Sequence, residues 1–233
     1  MKKIKDSENI VVLGLFLSLI SAIAAASLAL VNEYTKEPRR QVRLQAAAGA
    51  LNKILPPFDN DVMKNTVEIA STLNPKNKIV FYGAKENGKL TSLAVKNSAA
   101  GYKGKVEIML SFSPGGKIRT VVVGKHGETP GIGTKVTDRK SKKLMKDLIK
   151  AAGSQKGGSG KLNKYGLAKN DFLDQFSGLD IKIDSPRWQV KKDGGRIVEV
   201  TGATISSRAV TDAAYDAMAT FVKNREKILA ALR

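Results

Sequence analysis

Four hydroxyls surround a Gly-Ala turn in Thr201-Gly202-Ala203-Thr204-Ile205-Ser206-Ser207, and such a cluster suits anion binding. Gly202 and Ala203 leave almost no side chain at the turn, so a ligand could approach the backbone closely. Before the turn runs the β-rich stretch Arg196–Val200; after it Val210, Ala214, Ala217 and Phe221 recur at helical spacing. Free amide donors and the positive end of a helix dipole should therefore point back at Thr204, an arrangement that suits phosphate. The same residues also suit a plain helix cap after a turn, with no ligand at all.

A second group is His126-Gly127-Glu128-Thr129-Pro130-Gly131-Ile132-Gly133, too rich in glycine and proline for helix or sheet. As a nucleotide fingerprint it fails, because Gly131-x-Gly133 lacks the third glycine and no Gly-Lys-Ser/Thr follows. Glu128 reads either as a ligand's hydrogen-bond partner or as a solvated loop carboxylate. The third group, Gly101-Tyr102-Lys103-Gly104, reads as a tyrosine in a glycine turn.

Together these stretches resemble the flavin-binding domains of the Rnf complex and of the sodium-pumping NADH:quinone reductase. Thr-Gly-Ala-Thr-Ile-Ser-Ser is similar to that family's Ser/Thr-Gly-Ala-Thr-x-Thr/Ser signature, and Glu-Thr-Pro-Gly-Ile-Gly to its Glu-Thr-Pro-Gly-Leu-Gly loop. The resemblance implies covalent FMN, joined by a phosphoester to Thr204. It implies contacts from Thr201, Gly202, Ala203, Ile205 and Ser206 in the motif and from Glu128, Thr129, Pro130 and Ile132 along the flavin ring. Gly101-Tyr102-Lys103-Gly104 resembles the family's Gly-Tyr-Gly-Gly loop, which adds Tyr102 and Gly104. Two departures stand out: Lys103 replaces a glycine, and Val198 stands where family members commonly carry an acid three residues before the motif, with Glu199 one place later.

The elements that must hold these loops are readable from the pattern. Strands are expected at Lys78–Ala84, Leu90–Lys96, Lys105–Phe112 and Lys117–Lys125, the last two joined by a hairpin at Pro114-Gly115-Gly116. A further strand pair, Trp188–Val190 and Arg196–Val200, is expected around Asp193-Gly194-Gly195. Leu44, Ala47, Ala48, Leu51 and Leu55 share a helical face that Pro56-Pro57 ends. Helical periodicity over Ser141–Ala152, then Gly153–Gly160, reads as a basic Gly/Ser-rich insertion spanning about residues 141–165. Asp171–Gly178 resumes the family texture.

Residues Ile10–Val31 carry no charge, enough for roughly 33 Å of helix, and read as a retained membrane anchor rather than a cleaved signal peptide. Lysines and arginines are nearly balanced on its two sides, so orientation rests on the family, which keeps the amino terminus cytoplasmic and the flavin domain outside. The chain has 233 residues and a formal net charge of +19, which favours anionic surfaces such as lipid headgroups or acidic subunits. The absence of cysteine excludes thiolate clusters and disulfides, and a single His126 argues against a histidine metal site.

The expected fold class is therefore α+β: an FMN-binding domain with a mostly antiparallel sheet and flanking helices, behind one N-terminal transmembrane helix. Its divisions are a cytoplasmic terminus at 1–9, the span at 10–31, a linker and helical segment at 32–76, and the flavin domain at 77–233. The implied function is electron transfer within an Rnf-type ferredoxin:NAD oxidoreductase of the cell membrane, with the other subunits as partners and sodium or proton translocation as the coupled event. The alternatives are the C subunit of the quinone reductase, a membrane-tethered polyanion binder, and a free-standing flavoenzyme using His126 or Glu128. Aromatic residues, 6% of the chain, are too scarce for a nucleic-acid stacking platform.

Overall fold

The computed structural model describes residues 2–139, 163–181 and 186–233. The expected helix at Ser141–Ala152 and the Gly/Ser tract after it lie outside the described residues. Two bodies result, Met1–Ala47 and Ala48–Arg233. Helix α1, Lys2–Ile54, begins in the first and ends in the second, continuing through Pro38. An 18-residue window within it has a mean hydropathy of 2.5, so α1 is long and apolar enough to cross a bilayer.

In the second body, five strands pair antiparallel in the order β1-β2-β3-β4-β5. They are β1 Thr66–Ala70, β2 Lys78–Glu86, β3 Lys89–Ala100, β4 Lys105–Phe112 and β5 Ile118–Val123. Alternation assigns their faces. Phe81, Val95, Leu110 and Val121 enter the main core, whereas Tyr82, Ala94 and Met109 point to the opposite face. That opposite face is covered in part by Leu51, Ile54 and Leu55, the last apolar residues before Pro56. The Ser111 hydroxyl donates to the Ile54 carbonyl at 2.8 Å and fastens the helix end there. β1 lies ahead of residue 77, inside the stretch expected as linker, so the compact body starts at Ala48.

The main core is closed by α3, Thr204–Lys223, and α4, Arg225–Leu232, after a single-turn helix α2 at Thr134–Thr137. Val210, Ala213, Ala214, Ala217 and Phe221 form the buried stripe of α3. The small alanines let the helix lie close to the sheet. Phe221 meets Phe112 edge-on at 4.7 Å between centroids and Phe81 at 6.3 Å, contacts worth about 0.5–1.5 kcal/mol each beyond area burial. A polar tie adds register: Asp216, 8% exposed, accepts from the Ser71 hydroxyl at 2.7 Å, the Leu73 N–H at 3.2 Å and Asn97 Nδ2 at 3.1 Å. A buried carboxylate with three donors holds the β1–β2 loop, β3 and α3 in one arrangement.

Trp188–Val190 and Arg196–Val200 do not form the expected strand pair. They meet through one bridge, Val190 to Ile197, and a 3-10 turn occupies Lys191–Asp193. The cause is close packing at Gly195, where a Cβ would stand 2.0 Å from the Gln189 carbonyl oxygen. The chain folds back on itself too tightly for a ladder.

Candidate functional site

The head of α3 is open. Ala203 occupies the N-cap and has no side-chain oxygen, so the N–H groups of the first turn receive no side-chain cap. The Ser207 hydroxyl turns away from that role, donating to the Ala203 carbonyl at 3.0 Å and accepting from the Val200 N–H at 3.1 Å. Thr204 is the first helical residue rather than a cap, and its half-buried side chain lines a cavity. Gly202 makes the turn possible with φ of +81°, a left-handed conformation that other L-residues adopt only with strain.

Opposite Thr204 stands the loop after β5. Glu128 is 5% exposed there; its carboxylate accepts from the Tyr102 N–H at 2.9 Å and from the Ser206 hydroxyl. One side chain thus joins the β3–β4 turn, the β5 loop and α3. Two glycines make room for it: a Cβ at Gly101 would stand 2.4 Å from Glu128 Oε1, and one at Gly133 would stand 2.7 Å from Glu128 Cβ. The loop itself is ordered by the Gly131 N–H donating to Thr134 Oγ1 at 2.8 Å.

The cavity between these segments has a volume of about 500 Å³, within the range of small-molecule sites. It gathers Tyr102, Glu128, Thr129, Ile132, Gly202, Ala203, Thr204, Ile205 and Ser206 from the expected set. Thr201, Pro130 and Gly104 are not among its lining residues. Thr201 and Pro130 are exposed, and Gly104, at φ +123°, closes the β3–β4 turn by accepting the Gly101 N–H at 2.7 Å. Gly133 and Lys192 line the cavity without having been expected. Gly133 could have been found as the last residue of the loop motif; a lysine in a chain with 40 Lys and Arg carried no signal.

Lys192 Nζ donates to Thr204 Oγ1 at 3.4 Å. Its neighbour Asp193 is bound by Arg208 through two contacts of 2.6 Å, which hold the Asp193 carboxyl below the usual carboxylate range. Asp193 is therefore charged and already partnered.

Tyr102, Ile132 and Ile205 are 63%, 49% and 45% exposed, a concentration of accessible apolar surface on this cavity. Apolar walls beside a hydroxyl, open helix amides and an ammonium fit a ligand with a flat aromatic part and an anionic end. The residues present therefore fit FMN. They offer little for proton abstraction: Glu128 is engaged by two donors, and His126, outside the lining residues, lies 3.4 Å from Asp138. Among the described residues no group of three or more metal-ligating side chains is assembled.

The chain is similar to the G subunit of the ion-translocating oxidoreductase complex of Shewanella piezotolerans, 29% identical over 94% of this chain and 92% of that one. It is also similar to the same-named proteins of Pseudomonas aeruginosa, 28% identical over 93% and 91%, and Cereibacter sphaeroides, 26% over 94% and 87%. Among solved structures, the C subunit of the Na(+)-translocating NADH-quinone reductase from Parabacteroides distasonis matches with a TM-score of 0.43 and 18% identity, covering 73% of this chain and 71% of that one. The model of the FMN-binding domain matches residues 101–219, from the β3–β4 turn through most of α3. The chain belongs to the FMN-binding domain family.

Proposed function

We propose that this chain carries FMN as a phosphoester on Thr204 and is the electron-transferring G subunit of an Rnf-type ion-translocating ferredoxin:NAD oxidoreductase. The observation that supports the attachment is the Thr204 hydroxyl, set between uncapped helix amides and the Lys192 ammonium on a cavity of suitable size. Similarity to the G subunits of such complexes over nearly the whole chain supports the assembly. It favours that reading over the C subunit of a quinone reductase.

FMN, when bound, supplies reversible one-electron chemistry. The protein's part is positional. Thr204 and the head of α3 hold the phosphate end, Tyr102, Ile132 and Ile205 offer apolar contact to the ring, and Glu128 keeps the three segments together from below. Among the described residues the one carboxylate on the cavity, Glu128, is already engaged by two donors; in this reading the chain passes electrons between neighbouring subunits and turns over little alone. α1 anchors the domain to the cell membrane in a single pass, with the flavin domain on the extracytoplasmic side, so that donor and acceptor meet it at high effective concentration.

The test places the Thr204→Ala chain in the assembled complex. Ferredoxin-driven NAD reduction should fall to background while the complex still purifies intact. Unchanged electron flow would overturn the role.

A further inference from the structure

Among the described residues Lys192 is the one lysine that lines the cavity, and it makes no ion pair there. Its presentation is firm. The Lys191 N–H donates to the Ile197 carbonyl at 2.8 Å, the Gly194 N–H to the Lys191 carbonyl at 3.0 Å, and Gly195 presses on the Gln189 backbone. The bidentate Arg208–Asp193 pair then clamps this turn onto α3 itself, one helical turn beyond Thr204. Among the described residues, the carboxylate that lines the cavity with Lys192 and the one next to it in sequence are both committed, Glu128 to Tyr102 and Ser206 and Asp193 to Arg208. A cation with no acid partner among the described residues is thus held 3.4 Å from the hydroxyl oxygen of Thr204.

We propose that Lys192 is the counter-ion of a phosphate esterified to Thr204, a positioning residue that pins the anionic end of the flavin; this rests on the Thr204 phosphoester reading above. A phosphodiester keeps one negative charge at every physiological pH. Its free oxygens lie two bonds, through the phosphorus, from the ester oxygen that Lys192 already reaches. An ammonium accepts such a partner from several directions, which suits a group that also bonds to the helix amides. The consequence is orientation: the covalent bond alone leaves the flavin free to swivel, and the ion pair removes part of that freedom.

The test uses the detergent-solubilised full chain with ¹³C at the lysine Cε positions, as flavin-loaded wild type and as Thr204→Ala. Loss of one resonance in Lys192→Arg identifies the signal. The Lys192 amine should titrate about half a unit higher in the loaded protein, the size expected for an exposed charge pair, with the other lysines unmoved. In Lys192→Gln the intact mass should retain the adduct while the fast loss of flavin fluorescence polarisation increases, and Lys192→Arg should restore the wild-type value. Equal titration in the two proteins, with the adduct present, overturns the role of Lys192 alone. A wild type that lacks the adduct mass overturns the Thr204 reading and this proposal with it.

Discussion

The Glu128 carboxylate accepts the hydroxyl hydrogen of Ser206 across 78 residues of sequence. This contact brings the loop after β5 onto the head of α3, and the Tyr102 N–H on the other oxygen adds the β3–β4 turn. The two family motifs form one cavity because this carboxylate lies between them.

Ser206→Ala should therefore act on stability and not on attachment. It leaves one oxygen of a buried carboxylate without its donor, a loss of about 1–3 kcal/mol. The midpoint of thermal unfolding should fall while the intact mass still shows flavin. An unchanged midpoint would mean that the contact contributes nothing.

Gly202→Ala should disturb the turn directly. A Cβ at φ +81° costs about 1–2 kcal/mol, and relief of that strain would move Thr204, the second residue on. Flavin content per chain should drop together with the melting temperature. Gly115→Ala is the control, because a Cβ there meets nothing closer than Ser113 Oγ at 3.6 Å and its backbone is not left-handed.

Asp174 supplies the acid sensitivity. Burial by itself raises its pKa, but hydrogen bonds from Asn163 and Arg139 and the Asn170 N–H outweigh that effect and hold it below the ordinary carboxylate value. A depressed folded pKa gives stability that is complete above the unfolded value of about 3.9 and is lost as pH falls through the folded value. Arg139, which also donates to the Val121 and Ala168 carbonyls, loses its charged partner in that window. Thermal melts should fall steeply below about pH 4 in the wild type. Asp174→Asn should melt lower at neutral pH and lose less on further acidification; parallel curves would refute the assignment.

Topology has its own test. With the flavin domain outside, protease added to intact spheroplasts should cut after Asn32. Cutting that begins only after lysis would place the domain in the cytoplasm.

Much of this is readable in the sequence because periodicity and turn chemistry are local. β2 to β5 follow from alternation bounded by glycine turns, and α3 from the spacing of Val210, Ala214, Ala217 and Phe221. β1 escapes such a reading because it has five residues, of which only Ile69 is buried, and sits at the sheet edge where burial leaves little pattern. Arg196–Val200 has strand-like composition, yet the tight bend that brings Gly195 against Gln189, after the 3-10 turn at Lys191–Asp193, leaves it only the bridge from Ile197 to Val190. That same bend sets Lys192 beside Thr204, so the missing strand pair and the unexpected site residue have one cause. Glu128 is expected at the ring edge; its partners Tyr102 N–H and Ser206 are tertiary contacts, for which no local signal exists.

The central claim is that Thr204 carries the flavin. Intact mass spectrometry of the purified full chain tests it most directly, comparing wild type, Thr204→Ser and Thr204→Ala. The account predicts the mass of FMN less water on the wild type, a reduced but present adduct on the serine variant, which keeps the hydroxyl, and the bare chain for the alanine variant. An adduct that persists in Thr204→Ala would contradict it.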